Sequence, residues 1–125
     1  MSYLLDTHAL LWWLGNDATL SQKAKEVIAA PENLIFVSAV TAWEISIKKA
    51  LGKLKAPDNL EEAIAENRFE VLFITIRDGI RAGELPNYHN DPFDRMVIAQ
   101  ALIHNLVIIT RDEKFDQYGV RLLTA

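Results

Sequence analysis

The chain has 125 residues, half of them hydrophobic and 24% charged, with a net charge of −4. That length supports one domain, residues 1–125, around one core and leaves no room for two domains of ordinary size. The absence of cysteine excludes disulfides, thiolate metal sites and cysteine nucleophiles and suits the cytoplasm, while the acidic balance counts against a passive nucleic-acid binder and less against a nuclease whose carboxylates hold metal ions.

Residues 3–6 read as a short buried strand that closes on Asp6. The N-terminus is apolar but lacks a basic segment and carries Asp6 and His8, which argues against a signal peptide. No apolar run is long enough to span a membrane. Residues 8–14 follow as an apolar helix or turn stopped near Gly15 and Asn16. Ser21 caps a helix running to Ala30, with Pro31 beyond its end. Residues 34–37 form a second apolar strand, and Ser38 or Thr41 caps a helix to Leu51, stopped by Gly52. Asp58 caps a weaker helix through about Asn67. Residues 70–74 form a third strand, and Thr75 caps a helix ending before Pro86. Asp91 and Pro92 open the next helix, which reaches His104 and Asn105. Residues 106–110 are a fourth strand, and a helical turn and a last strand near 120–123 close the chain.

Strands that are continuous apolar runs and alternate with helices indicate a parallel sheet covered on both faces. The expected fold is α/β: a three-layer α/β/α arrangement around a central parallel sheet of four to five short strands. Right-handed crossovers then put a ligand site at the carboxyl edge of the sheet.

Four acids fall at that edge: Asp6, Glu44, Asp94 and Asp112. Each has an ordinary explanation. Asp6 can cap the following helix. Glu44 borders an apolar stripe of Val40, Trp43, Ile47, Ala50 and Leu51, where it can pair with Lys48 one turn on. Asp94 sits at the third position of a helix capped by Asp91, where an acid can complete a capping box. Asp112 can cap the turn that contains Asp116, itself read as solvated. The joint pattern is stronger than its members. Asp94 shares a helix face with Val97, Ile98 and Ala101, and an unpaired carboxylate pointing there is costly unless a cation compensates. Hard oxygen ligands without cysteine favour Mg²⁺ or Mn²⁺ over zinc, and His8, His89 and His104 have no zinc-like spacing.

Leu4-Leu5-Asp6-Thr7-His8, Glu44 in its helix, His89-Asn90-Asp91-Pro92-Phe93-Asp94-Arg95 with Met96 to Ala101, and Ile109-Thr110-Arg111-Asp112 together resemble the PIN domain. More narrowly they resemble the VapC-type toxins of toxin–antitoxin pairs. The resemblance spans essentially the whole chain, and its most specific piece is Asp91-Pro92-Phe93-Asp94-Arg95. It implies Mg²⁺- or Mn²⁺-dependent cleavage of RNA by phosphodiester hydrolysis. It also implies a homodimer and a cognate antitoxin as partner. Asp6, Glu44 and Asp94 match the family's acidic triad, and Asp112 its fourth acid, with Thr110 beside it. These four are the expected catalytic and metal-holding residues.

Further features invite two readings. Lys48, Lys49, Lys53 and Lys55 can guide an RNA backbone or simply suit a helix C-terminus, and Arg77 with Arg81 poses the same choice. Trp12, Trp13 and Trp43 belong mostly to the core, although Trp12 and Trp13 could line a groove for a partner helix. A phosphorelay receiver domain shares the fold and a Mg²⁺-binding acidic edge, but it wants adjacent acids after the first strand, where Thr7 stands. A haloacid-type phosphatase wants a second Asp at position 8, which is His. A non-catalytic protein-binding module leaves the four acids without a purpose.

Overall fold

The computed structural model describes residues 1–125. Strands β1 (Ser2–Leu5), β2 (Leu34–Ser38), β3 (Glu70–Leu72), β4 (Val107–Thr110) and β5 (Leu122–Thr124) form one sheet in the order β3-β2-β1-β4-β5. Every pairing is parallel. Helices α1 (Thr7–Leu14), α2 (Gln22–Ala29), α3 (Ala39–Ala50), α4 (Leu60–Glu66), α5 (Ile76–Glu84) and α6 (Pro92–His104) make the crossovers, and a 3-10 turn over Glu113–Tyr118 leads into β5. The fold is the α/β arrangement expected from the alternating elements, with five strands. No helix is long and apolar enough to cross a membrane.

Side chains alternate across a strand, so the sheet divides the core into two halves. Leu5, Ile35, Val37 and Ile109 pack with Leu10, Ala24, Ile28, Ile64 and Phe69 on the side of α1, α2 and α4. Leu4 and Ile108 pack with Val97, Ile98, Ala101 and Phe115 on the side of α6. In the register Leu4 pairs with Ile108 and Leu5 with Ile109, which sets Asp6 beside Thr110. The chain lays β2 and β3 on one flank of β1, then returns through α5 and α6 to place β4 on the other. The gap at the carboxyl ends of β1 and β4 is therefore the switch point where open α/β sheets leave a crevice.

Several local expectations change. Ser38, not Thr41, caps α3, accepting from the Val40 amide. The buried face of α3 is Val40, Thr41, Glu44 and Ile45, whereas Trp43 and Leu51 are 60% and 63% exposed. The apolar stripe drawn through Trp43 and Leu51 is therefore wrong, and Glu44 lies inside the packed face instead of at its border. Asp58 does not cap α4: Asn59 holds that position without a side-chain bond, and Asp58 is engaged by Lys49 at 2.5 Å. Strand β3 stops at Leu72, so Phe73 and Ile74 fall outside it, both exposed.

Candidate metal centre

The structure places all four acids at the carboxyl edge, by two routes. Asp6 and Asp112 lie just past the ends of β1 and β4 and double as helix caps. Asp6 Oδ1 accepts from the Ala9 amide, and Asp112 Oδ1 accepts from the Lys114 amide. Glu44 and Asp94 arrive from helices α3 and α6, which pack together. The capping explanations are thus correct for Asp6 and Asp112, and each cap leaves one carboxylate oxygen free for other partners.

Two separate sets of hydrogen bonds fix these acids, one at the ends of β1 and β4 and one around Glu44. Thr110 Oγ1 donates to Asp6 Oδ2 at 2.5 Å and accepts from the Asp112 amide at 3.0 Å, so one hydroxyl links the two strand ends. Thr7 Oγ1 donates to Glu44 Oε1, and Lys48 Nζ reaches Glu44 Oε2, both at 2.5 Å. Glu44 is only 5% exposed. The contact with Lys48 therefore belongs to a buried carboxylate and is no surface pair.

Asp94 is the most perturbed acid. Burial, then the charges of Asp91, Glu44, Asp112 and Asp6, push its carboxyl up to about 7. That all four carboxylates act on it shows how closely they gather, since like charges close together resist joint ionisation. Asp6 is also raised. Burial dominates there, against the Thr110 hydroxyl and Ala9 amide that favour its charged form.

His89, set aside in the sequence reading, stands inside the cluster. Its Nε2 lies 2.9 Å from Asp94 Oδ2 and 3.5 Å from Asp112 Oδ2, buried and aligned for a hydrogen bond with neither. Its Nδ1 accepts the Asp91 amide at 3.2 Å. Nδ1 must therefore offer its lone pair, so in the neutral ring the proton sits on Nε2. Although His89, Asp94 and Asp112 bring ligand atoms within 4.8 Å of one another, this tautomer turns an N–H and not a lone pair toward the acids and leaves the oxygens as the ligands. The Asp91 amide is the one a capping box would give to the acid at position 94. By taking it, His89 leaves the Asp94 carboxylate facing the other acids.

Arg95 explains how that loop is held. Its guanidinium donates to the carbonyls of Ala82, Gly83 and Leu85 at the end of α5 and to those of Pro86 and His89 beyond it. Arg95 thus binds backbone carbonyls and makes no ion pair.

The donor set fits a hard divalent cation. Several carboxylate oxygens converge, no thiol is present, and one acid is raised by burial and by its acidic neighbours. Asp6, Glu44, Asp94 and Asp112 could hold such an ion. Other candidates lie elsewhere: Asp116 is exposed as expected, and Arg77 and Arg81 line a separate surface groove with Ile76 and Ile80. Trp12 and Trp13 line a groove of about 420 Å³ with Leu20, Lys25, Glu26 and Asn67, and Trp43 meets Phe93 edge-on at 5.3 Å on the surface.

Comparison with known proteins places this geometry. The family model for the PIN domain matches residues 3–120. Ribonuclease VapC22 of Mycobacterium tuberculosis is 28% identical over 123 residues, covering 92% of this chain and 90% of that protein. Among solved structures, VapBC2 from Rickettsia felis, bound to a DNA fragment from its promoter, superposes with a TM-score of 0.73 at 18% identity, covering 98% of each chain. VapBC-1 from nontypeable Haemophilus influenzae superposes at 0.67 with 24% identity, covering 98% and 97%.

Proposed function

The chain belongs to the PIN domain family, and on that premise we propose that it is a divalent-metal-dependent endoribonuclease, the toxin of a toxin–antitoxin pair. The observation that carries this reading is the convergence of Asp6, Glu44, Asp94 and Asp112 at the switch point, with the Asp94 carboxyl raised to about 7 by burial and by the surrounding acids. The ribonuclease name of the Mycobacterium tuberculosis relative supports it.

Within this reading Asp6 and Asp94 are the principal ligands for Mg²⁺ or Mn²⁺, with Glu44 and Asp112 completing the shell or orienting water. A bound divalent ion supplies a positive centre that polarises a phosphodiester and makes water more acidic. The chain's own part is positional. Thr110 fixes the distance between the β1 and β4 acids. Thr7 and Lys48 hold Glu44 in one orientation. His89 keeps Asp94 out of a capping box. No side-chain nucleophile is required, and no cysteine exists to serve as one.

The partners in this reading are RNA as substrate, a second copy of the chain as a homodimer, and an antitoxin. The solved relatives from Rickettsia felis and Haemophilus influenzae, described as VapBC proteins, support the last. The groove walled by Trp12 and Trp13 is its proposed seat, since aromatic side chains anchor protein interfaces. Trp13→Ala is expected to weaken antitoxin binding with fold and dimer intact, and unchanged affinity removes the groove from consideration. The ribonuclease reading is tested by incubating single-stranded RNA with the protein in Mg²⁺ or Mn²⁺, with and without chelator. Cleavage that needs the metal and vanishes in Asp94→Asn is expected. Cleavage by that variant at the parent rate contradicts it.

A further inference from the structure

Beside Glu44 lies a cavity of about 240 Å³ lined by Thr7, His8, Glu44, Lys48, Lys53 and Leu54. Its two lysines are brought together by how α3 ends. Gly52 adopts φ +70°, the Gly52 amide donates to the Lys49 carbonyl at 3.0 Å, and the Lys53 amide donates to the Lys48 carbonyl at 2.8 Å. This pair of bonds is a Schellman turn, which folds the residue after the glycine back over the helix's last turn. Such turns commonly close with an apolar contact between those two positions. Here both positions are lysine, so the turn sets two ammonium-bearing side chains on one wall.

The four lysines of this region now separate. Lys49 is engaged by Asp58 and Lys48 by Glu44, each at 2.5 Å. Lys53 and Lys55 are both exposed, and Lys55 lies outside the cavity. Lys53 is in the cavity and has no carboxylate partner. The helix C-terminus explains why cations are tolerated at this end, but it does not explain why an unpaired one lines a cavity that shares Glu44 with the acid cluster. His8 adds ring nitrogens to the lining, whereas the Thr7 hydroxyl is already committed to Glu44 Oε1.

We propose that this cavity is a phosphate subsite: Lys53, with Lys48 and His8, receives a backbone phosphate of the RNA strand next to the one at the acids. The inference rests on the ribonuclease reading and gives the bound strand a direction, running from the acid cluster along the end of α3. Lys53 contacts phosphate oxygens and not base edges, so its contribution is independent of sequence and sensitive to salt.

The test measures binding of two unrelated short, labelled single-stranded RNAs to the Asp94→Asn protein, which holds RNA without cutting it, over a series of salt concentrations. Adding Lys53→Ala is expected to weaken both RNAs alike by about fivefold at low salt. It should also flatten the dependence of log affinity on log salt by about 0.7, the share of one phosphate contact on a single strand. Lys53→Arg should retain the parent values, and Lys55→Ala should not reproduce the loss. Unchanged affinity and slope in Lys53→Ala, or an equal loss in Lys55→Ala, overturns the subsite while leaving the ribonuclease reading standing. A loss confined to one of the two RNAs reassigns the contact to base readout and overturns it too. If the Asp94→Asn protein binds neither RNA even at low salt, the subsite fails, and the ribonuclease reading fails with it only if the parent protein does not cleave the RNAs in Mg²⁺ either.

Discussion

Asp78 and Asp94 occupy the same position in two consecutive helices, the third residue after the cap, and meet opposite fates. At the start of α5, Asp78 completes a capping box with Thr75, taking the Thr75 amide on Oδ2 while its own amide bonds the Thr75 hydroxyl. Gln100 Nε2 donates to the same carboxylate, and His104 stands 3.9 Å from its other oxygen. Burial pushes Asp78 up, yet these donors outweigh it and hold the carboxyl below the usual range. At the start of α6 the amide that would cap Asp94 goes to His89 instead, and burial, with the acids around it, raises the Asp94 carboxyl to about 7. A buried acid satisfied by its own helix is architecture. A buried acid deprived of that bond and surrounded by like charge is held ready for a cation.

The contrast breaks most visibly with Asp94→Asn. A raised carboxyl gives up its proton later in the folded chain than in the unfolded one, so ionising Asp94 costs stability. The cost begins above pH 3.8 and is complete above about 7. Removing the charge should therefore stabilise the metal-free protein at pH 8 by up to about 4 kcal/mol, vanishing near pH 4. Metal-dependent cleavage should fall at least about a hundredfold in the same variant. Thermal unfolding at the two pH values and an RNA cleavage assay read both effects.

Arg95→Ala should go the other way. It releases the α5 carbonyls and the loop carrying His89, and an unfolding free energy lowered by about 2–3 kcal/mol in a urea titration is expected. Asp78→Ala should destabilise by about 1–3 kcal/mol in a urea titration at neutral pH without altering metal affinity. The Asp78 contribution has the opposite pH sign to that of Asp94. A depressed carboxyl stabilises above pH 3.8, and the effect is lost as pH falls through the lowered value. The smallest change is expected from His89→Ala. With the Asp91 amide free, Asp94 can close a capping box, its carboxyl should return toward the usual range, and Mn²⁺ affinity should drop about tenfold. NMR titration of the Asp94 carboxyl tests the first part, and an unmoved titration removes His89 from this role.

The fold was legible because its signals are local: apolar runs, the Ser21 and Thr75 caps, and Pro92 opening α6 all act within a few residues. The acids were legible as positions, since strand ends in a parallel sheet share an edge. What escaped depends on partners distant in sequence. The buried face of α3 was misdrawn because Trp43 and Leu51 are apolar but exposed, while Glu44 is buried through Thr7, 37 residues away. Asp58 looked like a cap until Lys49 claimed it. His89 gave no ligand spacing because it works through a backbone amide two residues on, and Arg95 because its partners are carbonyls, which carry no sequence identity.

The central claim, that these acids form one divalent-metal site governed by Asp94, is tested most directly by calorimetric titration of Mn²⁺ into the protein at a series of pH values. The account predicts one set of sites at which affinity weakens as pH falls through about 7, with protons released on binding, and which is lost in Asp94→Asn. Binding of equal strength at pH 5 and pH 8, or binding undiminished in that variant, would contradict it.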